Sequence, residues 1–136
     1  MSPMNLNPSS ATNKAAEAAL KEFLRSTGAM HVTRNFWITD SDVTLEIYPA
    51  HGSIHLAFIG VNHENRRQGR ASTVLGQLAT VADKHGVPVD LSVQPSGRGG
   101  LAKRELFNWY QRKGFKRQNY PNSDKQSDRM IRNPIR

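Results

Sequence analysis

A chain of 136 residues can bury the core of one ordinary domain and is too short for two. Nineteen Lys and Arg against eleven Asp and Glu leave a formal charge of +8, and there is no cysteine. That composition excludes disulfides, thiolate zinc sites and cysteine nucleophiles, and no apolar run approaches the roughly 20 residues a membrane span requires. The start, MSPMNLNPSSATNK, lacks the basic and apolar segments of a signal peptide, so a cytoplasmic setting without membrane association is expected. The basic surplus suits an anionic partner: nucleic acid, a nucleotide cofactor or an acidic protein surface. It also suits plain solubility. The arginines cluster at positions 66, 67 and 70, at 98 and 104, and at 129, 132 and 136.

Residues 1–9, with Pro3 and Pro8 in Asn/Ser-rich chain, read as a disordered lead-in to a single domain over 10–136. From Thr12 the spacing of Ala16, Ala19, Leu20, Phe23 and Leu24 predicts an amphipathic helix, capped by Thr12 or Ser10 and closed by Gly28. Three strands follow as an antiparallel meander: 31–39, 43–48 and 53–61, with turns at DSD and at Pro49 to Gly52. The third is apolar on both faces, as a central strand should be. Val74, Leu75, Leu78, Val81 and Ala82 stripe a helix over 71–85, stopped by Gly86, and 87–93 is a strand. The loop PSGRGG leads to a helix over 101–113 and then short strands at 115–118 and 129–132. The order describes a mixed α/β fold: a twisted sheet, antiparallel at first and then closed by a strand-helix-strand crossover, with helices on both faces.

The most specific segment joins the third strand to its helix. Val61 ends the strand, and Arg66-Arg67-Gln68-Gly69-Arg70-Ala71 runs into the helix. A helix start carries unpaired N–H groups and a partial positive charge, so it can hold a diphosphate if the backbone comes close. Gly69 permits that approach, Ala71 keeps the entrance small, and the arginines add charge. The spacing is neither a Walker loop nor a dinucleotide fingerprint.

This loop resembles that of the GNAT N-acetyltransferase superfamily: Arg or Gln, two residues, Gly, one residue, then Gly or Ala. Arg66, Gly69 and Ala71 match it, and Val61 matches the small apolar residue five positions earlier. A second match lies in Trp109-Tyr110-Gln111-Arg112-Lys113-Gly114-Phe115, which is similar to the family's aromatic, Tyr, three residues, Gly-Phe. The closing RMIR resembles the family's last strand. The likeness spans about residues 12–133. Departures are His63 for a frequent proline, Lys103 for the Asn that commonly opens the later helix, and one helix where members often have two.

The resemblance implies acetyl-coenzyme A as cofactor and an acetyl transfer to a primary amine. It places the pantetheine arm against the strand end, with Phe58 to Val61 (Ile59, Gly60 and Val61 among them) as its backbone edge and an N–H near Ile59 facing the thioester. It places the pyrophosphate on Arg66, Arg67, Gln68, Gly69, Arg70, Ala71 and Ser72, with Lys103 available to a phosphate. Tyr110 matches the tyrosine that acts as general acid for the thiolate, or else simply packs the core. For the base, His55 occupies the position where protein-modifying members often carry Glu; a half-buried strand histidine is also an ordinary structural residue. Glu46 is the second candidate and His63, whose place in the loop also suits cofactor contact, the third; ordered water alone serves some members, so the base stays open. No metal site is expected, because the five histidines form neither HxxxH nor HExxH.

Two other functions compete: an acyl-CoA-binding module whose catalysis has faded, and a basic nucleic-acid-binding domain. The acceptor, a protein amine or a small molecule, is expected among the first helix, the DSD loop and NYPNSDKQSD. There Asp40, Asp42, Asp124 and Asp128 could attract a cation. The chain should be a monomer or homodimer. It resembles small members found in bacteria and their phages.

Overall fold

The structure is a computed structural model and describes residues 8–61, 69–94, 102–118 and 128–135. The first helix, α1, runs Pro8–Ser26. It therefore starts inside the expected lead-in and ahead of Ser10 and Thr12, neither of which is its cap. Proline suits the first helical turn, where its missing N–H had no partner anyway. The expected stripe holds: Ala16, Ala19, Leu20, Phe23 and Leu24 are all buried. Gly28 follows the helix at φ 61.

The single strand expected over 31–39 is a hairpin, β1 (Met30–Thr33) and β2 (Phe36–Ile38). Thr33 pairs with Phe36 across Arg34 and Asn35, and Arg34 takes φ 48 to make the turn. β3 (Val43–Ala50) and β4 (Ser53–Val61) come next. Their turn is only His51-Gly52, with φ 53 and 82; two residues at positive φ give the tight hairpin that matches strand twist. Pro49, expected in the turn, is in the ladder opposite Ile54. Then follow α2 (Arg70–His85), β5 (Val89–Ser92), α3 (Lys103–Arg112), β6 (Lys116–Arg117) and β7 (Arg129–Arg132). The seven strands form one sheet in the order β1-β2-β3-β4-β5-β7-β6. Only β4 and β5 are parallel neighbours. This is the mixed sheet expected.

Alternation assigns the two faces. Leu45, Ile47, Ile54, Leu56, Val89, Leu91 and Met130 are buried on one face against Phe23, Val74, Leu75 and Leu78 of α1 and α2. α3 joins the same core through Phe107 and Tyr110. Helices were expected on both faces; the described ones share one. The reason is chirality. The β4–α2–β5 and β5–α3–β6 crossovers both link parallel strands and step the same way across the sheet, so right-handed connections put both helices on one side. Among the described residues, the other face carries Glu46, Tyr48, His55 and Asp90, all half-buried.

The last strand is tied to α2 by Arg132, which donates to both Asp83 carboxylate oxygens at 2.7 and 2.9 Å; the Ile135 N–H adds a third bond at 2.9 Å. The Arg132 guanidinium holds the Asp83 carboxyl below the ordinary carboxylate range, burial opposing it. A carboxyl depressed on folding stabilises the fold above its unfolded pKa, near 4, and loses that contribution as pH falls through the folded value. Asp83→Asn should therefore cost about 1–2 kcal/mol in urea unfolding between pH 5 and 8. The gap between variant and wild type should close progressively below about pH 4. A gap independent of pH would show that the ion pair is not its source.

Candidate functional site

A β-bulge shapes the centre of the sheet. Glu46 pairs with Phe58 but Ile47 with Leu56, so Ala57 is the extra residue in β4. The bulge coincides with the end of the parallel ladder, whose last rung is Leu56 opposite Leu91. β4 continues to Val61 without a described β5 partner. The two strands thus part, which is what a bulge that bends and twists a strand does.

Hydrogen-bond parity shows which backbone groups face the gap. Val43 accepts from Thr39, and the Ile47 N–H donates to Asn35, both on the β2 side of β3. Leu45, between them, points the same way. Its partner Ile59 therefore turns its N–H and C=O away from β3 and into the gap. Val61, opposite Val43, turns likewise. Gly60 lies between, and a Cβ on it would meet the Phe58 ring at 2.7 Å. The glycine makes room for that phenyl on the open face.

A cavity of about 50 Å³ lies in the gap, bounded by Leu56, Ile59, Ser92, Gln94, Trp109 and Tyr110 among others. Tyr110 is 8% exposed, with its ring against Trp109 and Phe115. Burial pushes its hydroxyl pKa up to about 12, so it is protonated and a donor throughout the physiological range.

Beyond the strand end, α2 starts at Arg70 after Gly69, which takes φ 69. Gly69, the residue at the cap position, has no side chain to cap the helix, and the first turn holds no acid. A Cβ on Gly69 would meet no described atom within 4 Å, so the space beside it is open, and its left-handed backbone independently favours glycine. Arg70 donates to the Ser41 carbonyl at 3.1 Å and lies 3.6 Å from Asp42. Ala71 and Ser72 are half-buried in the first turn. The Ser72 hydroxyl accepts from Trp109 Nε1 at 2.8 Å, which fastens α3 to this helix start. Arg66, Arg67, Gln68 and His63 lie outside the described residues, as does Asp124.

Lys103 is elsewhere. It donates to Asp128 at 2.7 Å on the rim of an open groove of about 600 Å³ along α3, with Arg104 and Arg117. Six residues of helix, about 9 Å, separate it from Trp109 and the α2 start. Glu46 is one strand further from the gap than β4, on the open face beside Phe36 and Phe58. His55 is one residue before the last parallel rung. Its Nδ1 is bonded to Asp90, and its ring lies 5.1 Å from that of Tyr48. Asp90 was not singled out from sequence; its signal was a lone acid in the otherwise apolar VPVDLSV.

Solved structures with this architecture include the anti-CRISPR protein AcrVA5, 18% identical, at TM-score 0.50 over 76% of this chain and 97% of that one. Ard1 from Thermoplasma volcanium is 15% identical at TM-score 0.51, over 88% and 80%. A protein of Lactobacillus plantarum assigned as an N-acetyltransferase is 14% identical at TM-score 0.51, over 95% and 94%. The chain has the GNAT fold. No protein-family model matches its sequence, and neither does any curated protein.

Two glycines of this segment should respond oppositely to alanine. Gly69→Ala places a side chain at φ 69 and should cost about 1–2 kcal/mol. Gly76→Ala lies inside α2 with open space and should gain about 0.5–1 kcal/mol. Urea unfolding of both variants reads the two signs. Equal effects would mean Gly69 is not held left-handed.

Proposed function

We propose that the chain is an acetyl-CoA-dependent N-acetyltransferase acting on a primary amine. The observation that carries this is the gap between β4 and β5, with a protonated, buried tyrosine at its wall. It opens near a helix start whose first turn holds no acid. In this reading the Ile59 backbone holds the pantetheine arm as an added strand would be held. The N–H groups of Arg70, Ala71 and Ser72 hold the pyrophosphate. Gly69, Arg70 and the Arg66–Gln68 stretch complete that loop; Lys103, engaged with Asp128, is left out.

Bound acetyl-CoA supplies the thioester carbonyl. The acceptor enters as an ammonium and gives one proton to a base, and its nitrogen then attacks the carbonyl carbon. The C–N bond forms, the C–S bond breaks, and a second nitrogen proton neutralises the thiolate by way of Tyr110 and water. A hydroxyl near pKa 12 facing a thiolate near 8.5 is some 3–4 units too weak to give its proton outright, a cost on the order of 5 kcal/mol. Tyr110 therefore serves first as a hydrogen-bond donor to the growing charge. As base, His55 sits nearer the gap than Glu46.

Millimolar acetyl-CoA should raise the melting temperature, and the Gly69→Ala variant should lose most of that rise. No rise in the wild type would end this reading. Tyr110→Phe should lower kcat about 100-fold while the KM for acetyl-CoA changes less than about twofold. Unchanged kcat would make Tyr110 a packing residue only.

A further inference from the structure

We propose that Asp90 is a positioning residue for His55, holding its Nδ1–H so that Nε2 is left as the proton-accepting nitrogen. The inference rests on the acetyltransferase reading for its consequence and on the sheet register for its geometry.

His55 and Asp90 are direct partners across the parallel β4–β5 pair, so both side chains leave the same face at the same height. That face is the one without a described helix. The pair sits one rung before the strands part, at the foot of the gap whose other face holds Tyr110. A thioester threaded through the gap would meet the phenol from the helix side and the imidazole from the open side. Nucleophile and leaving group are then served from opposite faces of one sheet.

A neutral imidazole has one N–H, and whichever nitrogen carries it cannot accept a proton. Left to itself the ring prefers neither strongly enough for catalysis. A carboxylate at Nδ1 selects the tautomer and fixes the ring plane. Tyr48, the antiparallel partner of His55 on β3, limits ring rotation from the other side. Arg129 of β7 reaches to 3.8 Å from the same Asp90 oxygen. Its cation shares the carboxylate, so Asp90 is not devoted wholly to holding an imidazolium. The groups facing His55 are thus Tyr48, Asp90 and, through Asp90, Arg129. Among the described residues, Nδ1 with Asp90 is the hydrogen bond of this ring.

The test combines a spectroscopic and a kinetic arm on the whole chain. Long-range ¹H–¹⁵N correlation of histidine-labelled protein at pH 8, assigned with His55→Gln, should show Nδ1 protonated and Nε2 bare. Asp90→Asn should redistribute that proton. The opposite tautomer, or a doubly protonated ring at pH 8, would overturn the proposal. In acetyl transfer, Asp90→Asn should lower kcat roughly tenfold or more with little change in the acetyl-CoA KM, and add nothing to His55→Gln. Full activity in Asp90→Asn, or a full additional loss in the double variant, would also overturn it. A wild type that binds no acetyl-CoA would sink the acetyltransferase reading, while the tautomer would still be decided by the spectrum.

Discussion

The parting of β4 and β5 is the constraint on which the rest of the molecule turns. Backbone N–H and C=O groups in a sheet interior must find partners. Here the ladder stops at Leu56 and Leu91 while β4 carries on for five residues. The bulge at Ala57 does two things at once: it bends β4 away from β5, and it resets the alternation so that Ile59 turns its polar groups into the opening. A chain segment or ligand with an extended polar backbone is the natural complement to such an edge.

What keeps the sheet from splitting further is packing on one side. α1 and α2 bury the shared face, and α3 is drawn to the α2 start by the Trp109–Ser72 bond. Tyr110 comes next to Trp109 and is carried to the gap by it. At the far end, the Arg132–Asp83 fork holds β7 to α2. α3 and β7 are therefore fastened to opposite ends of the same helix.

The helices were legible because a 3.6-residue stripe is a local signal: every buried α1 and α2 position was readable from spacing alone. The loop and the WYQRKGF segment likewise pointed to the fold, although the overall sequence is too distant for a family model to match. The β1–β2 hairpin was missed because its turn uses Arg34 at φ 48, a residue that ordinarily signals nothing, between two apolar stretches that read as one. Pro8 opens α1, although a proline in Asn/Ser-rich chain signals disorder as readily as a first helical turn. Asp90 and His55 are 35 residues apart and meet only through a helical crossover, which no pattern in either strand encodes. The Lys103–Asp128 pair was hidden for a similar reason: the two are 25 residues apart, on either side of β6. Local periodicity survives without an alignment; pairing between distant segments does not.

The two-residue turn at His51-Gly52 also bears on how the chain reaches its native state. Closing a loop that short costs little entropy, and it launches the longest ladder in the molecule, from Ala50–Ser53 out to Val43–Val61. The β4–β5 pairing, by contrast, must wait for the whole of α2 to be threaded and docked. On sequence separation alone, the hairpin is expected to form first and the parallel rungs last. The opening thus lies along the seam between the part of the sheet that assembles first and the part that assembles last. Three parallel rungs hold the two parts together there, against eight in the β3–β4 hairpin.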